Sequence, residues 1–173
     1  MRLRLAGIVK ESVVDGPGIR MVVFVQGCPH HCPGCHNPAS HDPDGGYEAT
    51  AEEILAQLKE NVLASGITLS GGEPFEQADA LALLAAEVKR RGKSVVTYTG
   101  YSFEYLMEWR QRNFAVTQLL EHTDILVDGP YLESRRDISL AFRGSANQRL
   151  IDVPEALRQG KFVEWVDPAW VCK

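Results

Sequence analysis

The sequence lacks the long apolar and strongly basic runs that mark membrane-spanning and nucleic-acid-binding proteins. No apolar stretch in its 173 residues approaches the roughly 20 residues that cross a bilayer. Lysine and arginine total 18 against 23 acidic residues, and no basic run forms, which argues against nucleic acid as a partner. The opening residues, 1–7, are too short and too charged for a secretory signal. We therefore expect a cytoplasmic protein that has neither a membrane nor a nucleic acid as its partner.

Internal repeats, low-complexity tracts and flexible linkers are also missing, so nothing in the sequence divides the chain. An apolar content of 45% over 173 residues is enough to bury one core. We expect a single domain over residues 1–173, in which the C-terminal segment 150–173 has an uncertain role.

Cysteine is scarce, yet three of the four cysteines lie in one short loop, residues 27–37. Cys28, Cys32 and Cys35 have the spacing C-x3-C-x2-C. Without an export signal these thiols are expected in a reducing cytosol, where clustered cysteines are metal ligands or catalysts more often than disulfides. A 4Fe–4S cluster normally takes four cysteines, so three would leave one iron open for chemistry. Cys172 is interpreted as a free thiol, because a fourth thiolate would close that iron.

Zinc is the alternative metal, since His30, His31 and His36 lie in the same loop. Structural zinc usually joins two short ligand pairs separated by about a dozen residues or more. The later histidines, His41 and His122, show no such pairing with the loop. The sequence therefore favours iron–sulfur over zinc.

The hydrophobic pattern predicts four strands that alternate with helices. Strands are predicted at residues 19–26, 66–70, 94–98 and 124–127, with shorter strand-like pieces near 140–143 and 149–153. Thr50 and Glu53 form a capping box before an apolar helical stripe that extends to Val62. Further helices are predicted over 78–91 and over 103–122, the latter interrupted near Asn113.

This alternation is typical of an α/β fold with a mostly parallel sheet. A complete (β/α)8 barrel needs about 250 residues, so we expect a partial, open (β/α) barrel. The cysteine loop and the loops at 71–74, 99–101 and 128–130 each follow a predicted strand. Because ligands bind at the carboxyl ends of such strands, the four loops are predicted to form one site.

These motifs together resemble a known family. The cysteine loop after one strand and Gly-Gly-Glu-Pro at 71–74 after the next are similar to the radical S-adenosylmethionine (SAM) enzymes. Val-Asp-Gly-Pro-Gly-Ile-Arg at 14–20 and Cys-His-Asn at 35–37 resemble the activating enzymes of glycyl-radical enzymes. Segments 128–131 and 142–149 resemble the branch of that family that activates anaerobic ribonucleotide reductase. The resemblance covers about residues 7–149.

The resemblance implies a radical SAM type of partial barrel and two cofactors, a 4Fe–4S cluster and SAM. It assigns Cys28, Cys32 and Cys35 as the cluster ligands and hence as the catalytic residues. Reductive cleavage of SAM would give a 5′-deoxyadenosyl radical, which removes a hydrogen atom from a backbone glycine of the partner. The implied partners are a glycyl-radical enzyme, here the large subunit of anaerobic ribonucleotide reductase, and an electron donor such as a flavodoxin, a ferredoxin or a thioredoxin system.

The same resemblance suggests which residues contact SAM. The backbone of Gly71 and Gly72 is expected to bind the SAM amino group with Glu73 nearby, whereas an ordinary tight turn would explain only the glycines. His36 is expected to line the adenine pocket. Asp128 is a candidate for the ribose or amino group, or for a helix cap or turn, and the sequence leaves both open.

Several polar and aromatic residues near the motifs keep two interpretations each. Arg20, Arg143 and Asn147 are candidates for the SAM carboxylate or for partner contacts, since arginine suits carboxylates. His30 and His31 are either solvated or hydrogen-bonded to the cluster sulfurs. Tyr98 and Tyr101 either pack on the adenine or belong to the core.

The sequence leaves three classes of function open. The first is an activase of a glycyl-radical enzyme, with anaerobic ribonucleotide reductase ahead of pyruvate formate-lyase, whose activases resemble a longer chain. The second is a radical SAM enzyme that acts on a small molecule. The third is a metal-binding module without enzymatic activity, for which Gly-Gly-Glu-Pro and Asp128 would be coincidences.

Overall fold

In the computed structural model, which describes residues 2–168, the chain forms one seven-stranded sheet with five α-helices. The strands, in chain order, are β1 (Arg2–Ser12), β2 (Arg20–Val25), β3 (Tyr47–Thr50), β4 (Gly66–Gly71), β5 (Ser94–Tyr98), β6 (Ile125–Asp128) and β7 (Arg149–Asp152). The helices are α1 (Ala51–Glu60), α2 (Ala78–Arg90), α3 (Phe103–Trp109), α4 (Phe114–Glu121) and α5 (Val153–Gln159). None of the helices in this part of the chain is long and apolar enough to cross a membrane.

The sheet is parallel at its centre and antiparallel at both edges. Its order is β3-β1-β2-β4-β5-β6-β7, and the pairings from β2 to β6 are parallel. Strands β1 and β3 on one side and β7 on the other run antiparallel to their neighbours. Within residues 2–168 the edge strands β3 and β7 do not pair with each other, so the sheet is open, as expected, and is not a closed barrel.

The four predicted strands correspond to β2, β4, β5 and β6, which are neighbours in the sheet. Because these neighbours are parallel, the loops that follow them lie at one edge, which confirms the expectation that the four loops meet. The capping box at Thr50 and Glu53 is present, and the helix break near Asn113 is confirmed, since its side chain caps α4. The apolar stripe ends earlier than predicted, because α1 stops at Glu60 and Val62 is 84% exposed.

The terminal regions differ more from the sequence analysis. The pattern analysis did not predict β1, in which Leu3 and Leu5 are buried and alternate with charged residues. Residues 140–143 form turns rather than the predicted strand. The segment after residue 150 completes the fold, since β7 pairs with β6 and α5 buries Val153 in the core. Cys172 lies outside the described residues.

All five helices share one hydrophobic core with the same face of the sheet. Alternate strand residues such as Val23, Leu69 and Val95 belong to this core together with residues of α1 to α5. The residues between them, such as Phe24 and Tyr98, face the opposite side. Since the helices occupy one face, the other face of the sheet is left to form a cavity at the carboxyl ends of the parallel strands.

Candidate iron–sulfur site

The cysteine loop bends so that its three thiols line one cavity. Gly27 (φ +92°) and Gly34 (φ +74°) occupy left-handed backbone conformations, which glycine adopts at little cost. Cys28, Cys32 and Cys35 are half-buried free thiols, and all three line a cavity of about 310 Å³. This volume is within the range of small-molecule sites. The sequence prediction that these cysteines act together is consistent with this geometry.

The three thiols line one cavity, and the described residues do not form a site for a single metal ion. Between residues 2 and 168 no three Cys, His, Asp or Glu side chains are grouped around one metal-ion position. A mononuclear zinc site needs ligands gathered around one ion. A cubane cluster is instead held by one thiolate at each iron, so thiols spaced around a shared cavity suit it.

Burial makes the Cys28 thiol harder to ionise. Desolvation raises the pKa of Cys28, and the nearby Glu73 carboxylate raises it further. Cysteine binds metals as the thiolate, so cluster assembly must displace this proton. Backbone hydrogen bonds from His30 and His31 to this thiol act in the opposite direction and lower the pKa of Cys28.

The Gly-Gly-Glu-Pro loop lies directly against the cysteine loop. The Gly72 amide donates to the carbonyl of Val25, and the Glu73 amide donates to that of Gly27, both at 2.7 Å. A Cβ on Gly72 would lie 2.2 Å from the Gly27 carbonyl oxygen, and one on Gly71 (φ +99°) would lie 2.6 Å from the backbone of β2. The glycines thus permit a backbone contact between the two loops, and both line the cavity.

Glu73 joins three of the strand-end loops and does not line the cavity. Its carboxylate is fully buried and accepts hydrogen bonds from the Phe75 amide (3.0 Å), the Thr99 hydroxyl (2.9 Å) and the Gly100 amide (2.9 Å). Its fourth partner is His30 Nε2 in the cysteine loop, at 2.8 Å. A carboxylate with four partners fixes the loops relative to one another.

His30 is not a solvated residue, since its side chain is bound inside the protein, and it lines the cavity that the three cysteines share. Only 18% of its side chain is exposed, and its ring packs edge-on against Tyr101 with centroids 4.5 Å apart. A Cβ on Gly100 would lie 2.4 Å from the same ring. His30 therefore connects the cysteine loop to the loop after β5 through Glu73.

Asp128 is the last residue of β6, and its buried carboxylate is hydrogen-bonded within the protein. It accepts hydrogen bonds from the Phe103 amide at the start of α3 (2.7 Å) and from Arg149 Nε (3.0 Å). The side chain is 1% exposed, and the next residue, Gly129, lines the cavity. This geometry matches the helix-capping interpretation of Asp128 and leaves the carboxylate with partners inside the protein.

Aromatic residues form part of the cavity wall. His36 lines the cavity and contacts Tyr131 edge-on, with ring centroids 5.4 Å apart. Tyr98 also lines it, and its hydroxyl donates to the Phe142 carbonyl at 2.7 Å. Tyr101 instead stacks on Tyr105 outside the cavity, with centroids 4.9 Å apart. Of the two tyrosines singled out in the sequence, Tyr98 is the one placed to contact a ligand.

Arg20 has a structural role. It is fully buried, and its guanidinium donates to the Thr68 hydroxyl (2.8 Å), the Ile67 carbonyl (2.6 Å) and the Ser94 carbonyl (3.0 Å). Burial lowers the pKa of Arg20 to about 10, so it stays charged near neutral pH. Its donors are used across β2, β4 and β5, which removes Arg20 from the candidates for a ligand carboxylate.

The other two polar candidates hold the segment after β6. Arg143 donates to the Ala141 carbonyl at 3.4 Å, and the Asn147 side-chain amide donates to the Pro130 carbonyl at 2.8 Å. Neither side chain lines the cavity. Gly144 and Gln148 from the same segment do line it, and although the resemblance included segment 142–149, it gave Gln148 no role of its own.

His41 is a site residue that the sequence reasoning missed. The sequence analysis found no zinc-type ligand spacing between His41 and the loop, and the structure shows a different kind of contact, with His41 Nδ1 3.3 Å from His31 Nδ1. Its carbonyl also accepts the Cys28 amide at 3.1 Å, and its side chain lines the cavity. Five residues lie between Cys35 and His41, and no regular ligand spacing relates the two.

The fold and the cavity define an α/β protein of the 4Fe–4S single-cluster class, and comparison with known proteins agrees. A family model described as a 4Fe-4S single cluster domain matches residues 14–151. A Vibrio cholerae protein is 38% identical over 145 residues, which cover 79% of this chain and 90% of the relative. An Escherichia coli K12 protein is 34% identical over 145 residues, with the same coverage of 79% and 90%.

A protein of enterobacteria phage T4 is 33% identical over 144 residues, covering 79% of this chain and 86% of the relative. All three relatives are named anaerobic ribonucleoside-triphosphate reductase-activating protein. The chain belongs to the family of anaerobic ribonucleoside-triphosphate reductase-activating proteins.

Proposed function

We propose that this protein is a cytoplasmic radical SAM enzyme that activates anaerobic ribonucleoside-triphosphate reductase by generating a glycyl radical on it. The observation that carries the proposal is the single cavity lined by three thiols and by the backbone of Gly71 and Gly72. The names of the relatives support the choice of the reductase as partner. The open sheet with its site at the strand ends is compatible with a partial barrel of the radical SAM type.

Cys28, Cys32 and Cys35 would hold three irons of a 4Fe–4S cluster and leave the fourth for the amino and carboxylate groups of SAM. A cluster bound by these cysteines would pass one electron to the SAM sulfonium from a donor such as flavodoxin, ferredoxin or a thioredoxin system. Cleavage of SAM would then give methionine and a 5′-deoxyadenosyl radical, and the radical would take a hydrogen atom from the partner glycine and become 5′-deoxyadenosine. The protein's task is to orient SAM and to keep water and other C–H bonds away.

The chain's own groups around the cavity divide this task. The backbone of Gly71 and Gly72 would bind the SAM amino group, because both glycines line the cavity that the three cysteines share. His36 and Tyr131, whose rings contact each other and which both line the cavity, would contact the adenine. Glu73 and Asp128 act beneath the surface as positioning residues, since their carboxylates hold the loops after β4, β5 and β6.

The test is electron paramagnetic resonance (EPR) on anaerobically reconstituted, dithionite-reduced protein with and without SAM. We expect a reduced 4Fe–4S signal whose g-values shift on addition of SAM. Incubation with the reductase should then give a glycyl-radical signal together with 5′-deoxyadenosine. A cluster signal that ignores SAM would contradict the radical mechanism. A SAM-dependent shift with no radical on the reductase would contradict the choice of partner.

Replacement of His30 by alanine should weaken SAM binding without loss of the cluster. The Glu73 carboxylate would lose one of its four partners, and the loop that carries Gly71 and Gly72 would be less firmly held. We expect the Kd for SAM, from titration of the EPR shift, to rise about tenfold, since a hydrogen bond to a charged group contributes about 1.5–3 kcal/mol. Iron content should be unchanged.

The matched control for His30→Ala is His31→Asn at the neighbouring position. His31 is exposed and does not contact Glu73, and asparagine tolerates its left-handed backbone (φ +47°). The control should bind SAM like the wild type. Equal losses of SAM affinity in both variants would show that the loop is generally sensitive and that the contact between His30 and Glu73 has no special role.

A further inference from the structure

An apolar groove adjoins the cavity that the three cysteines share. It has a volume of about 760 Å³ and lies between the loop before β2, residues 13–15, and the connection from β6 to β7, residues 136–144. The groove and the cavity have four lining residues in common, which are Asp15, His36, Tyr98 and Gly144. The two spaces are therefore continuous, and a chain that lies in the groove would reach the cavity.

Both walls of the groove are fixed to the sheet. On one side the Thr68 hydroxyl of β4 donates to the Asp15 carbonyl at 2.7 Å. On the other side the Tyr98 hydroxyl at the end of β5 donates to the Phe142 carbonyl, also at 2.7 Å. Because neighbouring parallel strands hold both walls, the groove exists before any partner binds, and binding does not have to order it.

The groove exposes aliphatic side chains. Val13, Val14 and Ile138 line it and are 69%, 71% and 89% exposed. A single exposed aliphatic residue is ordinary on a protein surface, but these three come from two distant parts of the chain and meet at one groove. Apolar side chains that gather on one exposed surface mark a site of contact with another protein. The groove is thus suited to the apolar side chains of a partner.

The charged groups in the groove favour a partner that carries a carboxylate. Asp15 and Asp137 line the groove, but each accepts a hydrogen bond from a serine hydroxyl of its own loop. Arg136 also lines it and is exposed, and within residues 2–168 its guanidinium forms no ion pair with a carboxylate. Its forked donors are therefore available to a carboxylate that enters the groove from outside.

The proposed function determines which partner has to reach this place. The target glycine belongs to a large protein, so it must enter the cavity while the residues on both sides of it remain outside. Those flanking residues need a surface that is continuous with the cavity, and the groove provides one. A peptide in extended conformation presents alternate side chains to such a surface.

We propose that this groove binds the segment of the reductase that carries the target glycine. Apolar side chains of the segment would pack on Val13, Val14 and Ile138, and a carboxylate of the reductase would pair with Arg136. The proposal rests on the reductase as the partner in the proposed function. It adds the surface that recognises this partner and places its glycine at the cavity.

The test uses Ile138→Asp and Val13→Asp, which put a charge on either side of the groove. The variants and the wild type are reconstituted anaerobically, and EPR measures the glycyl radical formed on increasing amounts of the reductase. We expect the half-saturating reductase concentration to rise about tenfold in each variant, equivalent to about 1.4 kcal/mol, since a carboxylate would be buried against apolar groups. The SAM-dependent shift of the cluster signal should be unchanged, because neither residue lines the cavity.

Phe114→Asp is the matched control for the two aliphatic variants. Phe114 is 77% exposed and begins α4, which packs on the opposite face of the sheet. The control introduces the same charge at an exposed apolar position outside the groove. It should activate the reductase at the concentrations that the wild type requires.

Arg136→Glu tests the charged contact. We expect the Kd for the reductase, from sedimentation velocity at low ionic strength, to rise about tenfold, and the variant's affinity to lose the salt dependence that Arg136 contributes. Arg112→Glu is the control, because Arg112 is exposed and lies between α3 and α4 on the helical side. It should bind the reductase like the wild type.

The outcomes separate this inference from the proposed function. A wild-type protein whose cluster responds to SAM but which gives no radical on the reductase would contradict the proposed partner. Activation by the wild type, by Ile138→Asp and by Val13→Asp at the same reductase concentration would overturn the groove alone. Loss of the SAM-dependent shift in Ile138→Asp would overturn it too, because the residue would then belong to the SAM site. A wild-type dimer that Ile138→Asp converts to a monomer would show that a second copy of this chain occupies the groove instead.

Discussion

Cys32→Ala is expected to abolish cluster binding and activation while the fold of the apoprotein is retained. Cys32 lies in a loop at the edge of the sheet, half-buried and outside the hydrophobic core, so its removal leaves the strands and helices intact. Loss of an outer hydrogen-bond partner of a metal ligand already costs about 10- to 100-fold in metal affinity. Loss of the ligand itself should exceed this range, because one iron would have no protein donor.

The measurement for Cys32→Ala is iron and sulfide content after anaerobic reconstitution, followed by the SAM cleavage assay. The thermal midpoint of the apoprotein should match that of wild-type apoprotein. Cys172→Ser is the control, because the sequence assigns this fourth cysteine no ligand role, and it should retain full iron content. A full cluster in Cys32→Ala, or loss of the cluster in Cys172→Ser, would show that the ligand set is assigned wrongly.

The centre of the fold could be predicted from the sequence because its signals are local. Strands β2, β4 and β5 are short apolar runs followed by turn residues, and the capping box that begins α1 lies within four consecutive positions, Thr50 to Glu53. Strand β1, which lies between β3 and β2, was missed although Leu3 and Leu5 alternate with arginines, a pattern typical of a half-buried strand. Its partner β3 also lies about forty residues away, and no local pattern relates the two.

The sequence was sufficient to predict which motifs form the site, but not which contacts the motifs make with one another. The cysteines and glycines stand next to strand ends, so their meeting follows from a parallel sheet. The pairing of His30 with Glu73 and that of His31 with His41 depend on how separate loops fold over one another. Arg20 was misjudged for a related reason, since its acceptors belong to β4 and β5 and the sequence does not show that they surround it.

Gly72→Ala is expected to separate the two loops that form the cavity and to prevent SAM binding. The added Cβ would lie 2.2 Å from the Gly27 carbonyl oxygen and 2.8 Å from its carbonyl carbon. These are backbone atoms that cannot rotate away. The adjacent hydrogen bond from the Glu73 amide to Gly27, at 2.7 Å, would lengthen or break. Such overpacking costs about 1–3 kcal/mol of folding stability.

The effect of Gly72→Ala on function should be larger than its effect on stability. The cavity depends on contact between the Gly-Gly-Glu-Pro loop and the cysteine loop, and misplacement of a bound group by about 1 Å can cost about 100-fold in rate. We expect the SAM-dependent EPR shift to disappear at SAM concentrations that saturate the wild type, while Cys28, Cys32 and Cys35 still load iron.

Gly7→Ala is the matched control for Gly72→Ala, since nothing lies within 4 Å of a Cβ at Gly7 and its φ is not in the left-handed range. The control should bind SAM normally and gain up to about 1 kcal/mol, because alanine restricts the unfolded chain. Wild-type SAM binding in Gly72→Ala would mean that the close contact between the loops is dispensable. Neither the close contact nor the conformational freedom of glycine would then be needed for SAM binding at this position.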